Sequence, residues 1–207
     1  MGKLNIFHKI IGEYILTKRS KTHIPKINED LAYLIGVITG DGSLSMVKRS
    51  KGGFHYKVKI TSDTKKYLEY LDCLFIKYFR ISGMILKDKR KESTYDLTLQ
   101  NAAIFWYFVV IGLSIGKKIR IRIPDIINTT NLLLNYLSGL SDTDGHVAGN
   151  RIQLKQKDQD FLKEICERLN KLKFNCNPPK VNYTDSKPFY YIRFDNKLSL
   201  RYATVAQ

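Results

Sequence analysis

The chain has 207 residues, enough for one large domain or two fused small ones. Its 35 Lys and Arg stand against 19 Asp and Glu, a formal charge of +16 that opposes compaction in isolation and suits a polyanionic partner, nucleic acid ahead of an acidic membrane surface. An apolar content of 43% excludes a disordered basic tail. No apolar run is long enough for a membrane span, and three cysteines (Cys73, Cys166, Cys176) without a C-x-x-C pair exclude a zinc finger or a disulfide framework. The thiols are expected to stay reduced inside a cell.

In chain order, Leu4, Phe7, Ile10, Ile11, Tyr14 and Ile15 recur at helical spacing with Lys3 and Lys9 between them. This predicts an amphipathic packing helix over residues 4–15 rather than a signal peptide, although a basic organelle-targeting helix shares the composition. Next, Leu34 to Gly42 reads LIGVITGDG, an apolar helix with small residues on one face that runs straight into Asp-Gly. A carboxylate at a helix C-terminus faces the negative end of the macrodipole and needs a compensating cation. Alternating residues Phe54 to Thr61 predict a strand, Thr64 to Tyr78 a helix with Leu68, Leu71, Leu74, Phe75 and Tyr78 on one face, and Tyr95 to Leu99 another strand before a helix from Ala102.

The order then repeats. Leu137 to Gly145 reads LSGLSDTDG, a second small-faced helix ending in Asp-Gly. Strand Arg151 to Gln156 and helix Gln159 to Leu172 follow, and Tyr190, Ile192, Phe194 and Asn196 match Tyr95, Leu97, Leu99 and Asn101. Each half reads αββαββα, which predicts α+β with one antiparallel sheet per half. The halves span 1–117 and 125–207, joined by a basic linker at 118–124 that Pro124 closes; past Asn196 only a short terminal helix is expected. Gly36 and Gly40, like Gly139 and Thr143, lie four apart, so the two small faces can pack on each other and bring Asp41 and Asp144 together over a divalent cation. Gly42 and Gly145 are expected to be the left-handed residues that end the helices.

Strand alternation places Tyr56, Val58, Ile60, Tyr95, Leu97, Leu99, Ile152, Leu154, Val181, Tyr183, Ile192 and Phe194 inward. On the outer faces this leaves His55, Lys57, Lys59, Thr61, Thr98 and Gln100 in the first half. In the second half it leaves Arg151, Gln153, Lys155, Lys180, Asn182, Tyr191 and Arg193. Such donors and acceptors suit base edges in a major groove. Lys48, Arg49, Lys51, Lys87, Lys89, Arg90 and Lys91 lie near hairpin tips, in reach of phosphates, while His146 reads as a surface histidine.

The two nonamers resemble the motif of the LAGLIDADG homing endonucleases in their single-chain form. The first keeps Leu34, Gly36, Ile38, Asp41 and Gly42; the second keeps Leu137, Gly139, Leu140, Asp142, Asp144 and Gly145. The resemblance implies two pseudo-symmetric halves forming a saddle of sheets around the paired motif helices. It also implies a monomer that cuts both strands of a long, near-asymmetric DNA site and leaves 3′ overhangs. Two or three divalent cations, Mg²⁺ first and Mn²⁺ or Ca²⁺ as substitutes, would be held by Asp41 and Asp144 with the carbonyls of Gly40 and Thr143. Ser62 and Gln156 match the family's polar positions after the second strand, and Lys117 or Lys118 its lysine. Intron encoding is expected, in an archaeal cytoplasm or an organelle matrix. An RNA-binding intron maturase and a non-catalytic DNA-binding regulator are the alternatives.

Overall fold

The computed structural model describes residues 8–11, 14–17, 21–50, 52–88, 93–184 and 187–195. The chain forms two compact units, Met1–Ile27 with Ser43–Gly116 and Asn28–Gly42 with Lys117–Gln207. The first motif helix is therefore encoded in one half and packed in the other.

The first unit opens with an antiparallel meander, β1 (His8–Ile11), β2 (Tyr14–Thr17) and β3 (Lys21–His23). This corrects the amphipathic helix expected over residues 4–15 at the described positions 8–11 and 14–15; residues 4–7 and 12–13 lie outside the described residues. Ile10, Ile11 and Ile15 are β-branched and suit a pleated strand, and pairing of Ile11 with Tyr14 and Ile10 with Ile15 overrides a short helical period. In the second unit comes α1 (Glu29–Gly40), before the first unit resumes at β4 (Gly42–Lys48), β5 (Phe54–Ser62), α2 (Lys65–Phe79), β6 (Met84–Lys87), β7 (Tyr95–Leu99) and α3 (Ala102–Val110). The strands lie in the order β4-β5-β7-β6. Val58, Ile60, Leu97 and Leu99 are buried as alternation requires, beneath α2 and α3. Tyr56 is half-buried, its ring 5.2 Å from Phe105 and 5.9 Å from Trp106. Phe75, Phe79, Tyr107 and Phe108 complete an aromatic core between the two helices. Burial pushes the Tyr107 phenol up to about 12.

The second unit adds α4 (Thr130–Asp144), β8 (Gly145–Ala148), β9 (Arg151–Gln156), α5 (Gln159–Lys171), β10 (Lys180–Thr184) and β11 (Lys187–Asp195), with strand order β10-β11-β9-β8. Ile152, Leu154, Ile192 and Phe194 form the floor of its core. α5 covers β11 with Phe161, Leu162, Ile165 and Leu169 buried. Val181 and Tyr183 do not join that core: they are 49% and 63% exposed, because β10 is the edge strand and its five residues all lie open to solvent. The segment before α4 is tied to α5, since Ile121 and Ile123 N–H donate to the Asp158 and Glu164 carboxylates (2.9 and 3.4 Å). The terminal helix expected past Asn196 lies outside the described residues.

Gly42 and Gly145 are not left-handed, contrary to expectation. Neither has positive φ, and Gly145 is extended (φ −92°, ψ 161°), so each helix passes directly into a strand without reversing. Glycine is needed for space: a Cβ on Gly42 would lie 2.5 Å from Ile38 Cα, and one on Gly145 2.3 Å from Ser141 O.

Candidate functional site

Asn28 caps α1, its side chain accepting from Leu31 N (3.1 Å), and Glu29 and Asp30 complement the positive end of the helix. From Leu31 to Thr39 every residue is buried, the mark of a helix enclosed on all sides. It packs against α4 through the glycines that the spacing singled out. A methyl on Gly36 would stand 2.0 Å from Tyr136 O, and one on Gly139 2.1 Å from Tyr33 O, so the two backbones touch reciprocally. One turn later Gly40 meets Thr143, whose Oγ1 lies 1.9 Å from where a Cβ would be, with Asp144 Oδ2 at 3.1 Å. Asp41, in the exposed C-cap of α1, and Asp144, the last residue of α4, therefore leave the same end of one helix pair.

Charge at that end is organised by a lysine. α1 has no basic residue in its last turn, yet Lys118 Nζ donates to the carbonyls of Thr39 (2.8 Å) and Gly40, placing a cation on the negative end of the helix. Burial lowers the Lys118 pKa, while Asp144 and Asp41 act in the opposite direction. Asp144 is raised to about 6, first by burial and then by the charge of Asp41; Lys118 and a hydrogen bond from Gln156 Nε2 to Asp144 Oδ2 pull it back. Two mutually repelling carboxylates thus meet at this end, with the Lys118 ammonium acting on both.

Those donors fit a hard divalent cation. Mg²⁺ takes one or two protein carboxylates and fills its other positions with water and phosphate oxygens, so an all-protein cage is not required. Among the described residues no group of three or more His, Cys, Asp or Glu is placed to hold a metal ion. The Gly40 carbonyl is already engaged by Lys118, and the Thr143 hydroxyl donates to Leu140 O (3.0 Å).

The structure thus joins four of the expected site residues, Asp41, Asp144, Gln156 and Lys118. Lys117 is exposed, and Lys118 is the one of the pair whose ammonium reaches the end of α1. Ser62 ends β5 in the first unit, where its Oγ accepts from Thr64 N (3.1 Å). A second pair of contacts was overlooked in the sequence. Tyr33 Oη donates to Asp142 Oδ2 across the helices (2.7 Å), and the fully buried Tyr136 stands beside Thr39, whose hydroxyl donates to Ile35 O (2.8 Å). Burial raises the Tyr136 phenol. The signal was present: both copies begin Tyr-Leu-x-Gly, one residue ahead of the nonamer.

Of the residues expected to touch DNA, Lys48, His55, Lys87, Gln100, Lys155, Lys180, Asn182 and Arg193 are exposed, and Lys57, Lys59, Thr98, Arg49, Arg151, Gln153 and Tyr191 are half-buried. Lys89 lies outside the described residues. Lys59 Nζ is held by Asp96 (3.1 Å), which also accepts from Thr61 Oγ1 (2.6 Å). On the other sheet Arg193 donates to Gln153 Oε1 (2.8 Å) and lies over the Tyr191 ring, while Lys155 lies over Phe189. Asn177, Pro178, Lys180, Tyr191 and Arg193 line a shallow polar pocket there.

Residues 131–203 match a LAGLIDADG-like domain. An uncharacterised protein of Methanocaldococcus jannaschii is 21% identical over 178 residues, which are 81% of this chain and 64% of that protein. The replication factor C small subunit of the same organism is 26% identical over 177 residues, 84% of this chain but 9% of the longer protein. The chain thus spans under two thirds of the one and a small part of the other. Among solved structures, the homing endonuclease I-DmoI in complex with DNA and manganese superposes with a TM-score of 0.61 at 20% identity, over 84% of this chain and 90% of that one. I-SmaMI bound to an uncleaved DNA target in the presence of calcium gives 0.53 at 15% identity, over 83% and 80%. The matched domain lies in the second half of the chain, and the superposition shows that the chain has the fold of these homing endonucleases.

Proposed function

We propose that this chain is a site-specific, divalent-metal-dependent endonuclease that hydrolyses one phosphodiester bond in each strand of a long, near-asymmetric DNA target and leaves 3′ overhangs. The observation that carries the reading is the pairing of Asp41 and Asp144 at one end of α1 and α4, with Lys118 against the Gly40 carbonyl and Gln156 on Asp144. Similar structures are complexes with target DNA formed in the presence of manganese, magnesium or calcium, which supports the same class of cofactor here, Mg²⁺ first.

Asp41 and Asp144 would hold the cation, which supplies Lewis-acid stabilisation to the phosphate being cut. Gln156 fixes the carboxylate plane of Asp144 and leaves its other oxygen for the ligand. Lys118 presents positive charge to an anionic transition state in a half-buried setting, where a fixed charge counts for more than in water. In this reading Ser62 takes the Gln156 role for the other strand, so the two strands are cut at unequal rates. The exposed Lys, Arg, Gln and Asn of the two sheets contact phosphates and base edges. A segment of this length recurs inside a far longer replication protein, which suits a mobile coding element; an intron is the proposed carrier, and the enzyme is proposed to act as a monomer in a cytoplasm or organelle matrix.

The test uses DNA made by excising the coding intron and joining its flanks. The unsubstituted chain should linearise a plasmid carrying that junction with Mg²⁺ and not with EDTA. Asp41→Asn and Asp144→Asn should each bind the junction and fail to linearise it. Full cutting by both variants rejects the assignment, and binding without cutting by the unsubstituted chain points to a non-catalytic regulator.

A further inference from the structure

Two thiols that the nuclease reading does not use lie together at the far end of α5. Cys166, on that helix, is 5% exposed, and Cys176, in the loop between α5 and β10, is 6% exposed. Both thiols reach one carbonyl, Asn177 O, at 3.3 Å from Cys166 Sγ and 3.7 Å from Cys176 Sγ. Cys166 Sγ also lies 3.2 Å from Cys176 O. The loop is held in this place by Asn170, one turn beyond Cys166. Its Oδ1 accepts from Cys176 N (2.9 Å) and its Nδ2 donates to Cys176 O (3.1 Å). On its other side the loop joins the sheet, Asn177 N donating to Arg193 O (3.0 Å).

We propose that Cys166 and Cys176 form a disulfide site that fastens the loop ahead of β10 to α5, contrary to the sequence expectation of reduced thiols. The oxidant is a low-molecular-weight disulfide of the glutathione class. One cysteine thiolate attacks it and releases one thiol; the other cysteine thiolate then displaces the second thiol, closing the S–S bond. Two protein thiols and one small disulfide become one protein disulfide and two small thiols, which keep the two protons. The folded chain reacts slowly, since both sulfurs are buried, and Cys176 is held in its thiol form by burial and by Cys166. Refolding in the oxidant is the fast route.

The experiment starts from Cys73→Ser, which removes the exposed third thiol and leaves the pair alone. After refolding with oxidised glutathione, the denatured chain should show no free thiol, a mass lower by two hydrogens and no glutathione adduct, with the two cysteine peptides linked. The melting temperature should rise by about 5–10 °C, as expected for closing a short loop in a chain of this size, and return on reduction. Adding Cys166→Ser or Cys176→Ser should leave one glutathione adduct and abolish the rise. Should either double variant fail to fold, the mass and thiol count of Cys73→Ser still decide. Two adducts per chain, thiols unreacted after refolding, or a disulfide that leaves the melting temperature unchanged would each overturn the site.

Discussion

At the scale of single residues, Asp144 makes the energetics of the site measurable. Its carboxyl is raised to about 6, so between roughly pH 4 and 6 the folded chain binds a proton that the unfolded chain releases. Stability from this group is full below the ordinary carboxylate range and is lost as pH rises through 6. The metal-free protein should therefore show a falling contribution to its melting temperature over that window. Asp144→Asn should lack it, and added Mg²⁺ should restore stability above pH 6 in the parent only, as thermal melts across pH would show. Lys118 acts on the same carboxylate in the lowering direction, so Lys118→Met should move the activity profile to higher pH and slow cleavage by about 10²–10³-fold. An unchanged profile with an unchanged rate would remove Lys118 from the site. The choice between Lys117 and Lys118 was closed to sequence, because only the path of the chain decides which of two neighbouring side chains turns toward a helix end.

At the scale of elements, the α1–α4 pair rests on backbone contact. Gly36→Ala places a methyl 2.0 Å from Tyr136 O, and Gly139→Ala one 2.1 Å from Tyr33 O. A clash with backbone cannot be relieved by a rotamer change, so each substitution should destabilise the chain by about 3–5 kcal/mol in denaturant titration and lower its activity with it. Tyr33→Phe is milder. It removes the 2.7 Å bond to Asp142 and should cost about 1–2 kcal/mol without altering the pH dependence of the site. The tight face was legible because four-residue spacing of small side chains has a single geometric meaning on a helix. The strands at residues 8–11 and 14–17 were not, since a short run of Ile and Tyr satisfies helical and strand periods alike and only the pairing of β1 with β2, and of β2 with β3, settles it.

At the scale of the whole molecule, the +16 charge governs association. If six to ten phosphates are contacted, DNA affinity should fall about 10³–10⁵-fold between 50 and 200 mM salt, and a flat dependence in filter binding would refute an electrostatic interface. Individual lysines contribute unequally. Lys59 is held by Asp96, so Lys59→Ala should change the salt slope less than Lys155→Ala, whose ammonium is exposed.

Residue order alone determined the duplication, the two-sheet α+β architecture, the contact face of the motif helices and the identity of the paired acids. Each of these depends on spacing along the chain, which the sequence carries wherever a pattern is long enough or is repeated. Tertiary structure decided that α1 packs in the second unit, that Lys118 supplies the cation missing from its last turn, and that Val181 and Tyr183 stay open on an edge strand. It also decided that Gly42 and Gly145 give room rather than a left-handed turn. Each of these depends on which distant segment arrives as neighbour, a property that no local pattern encodes.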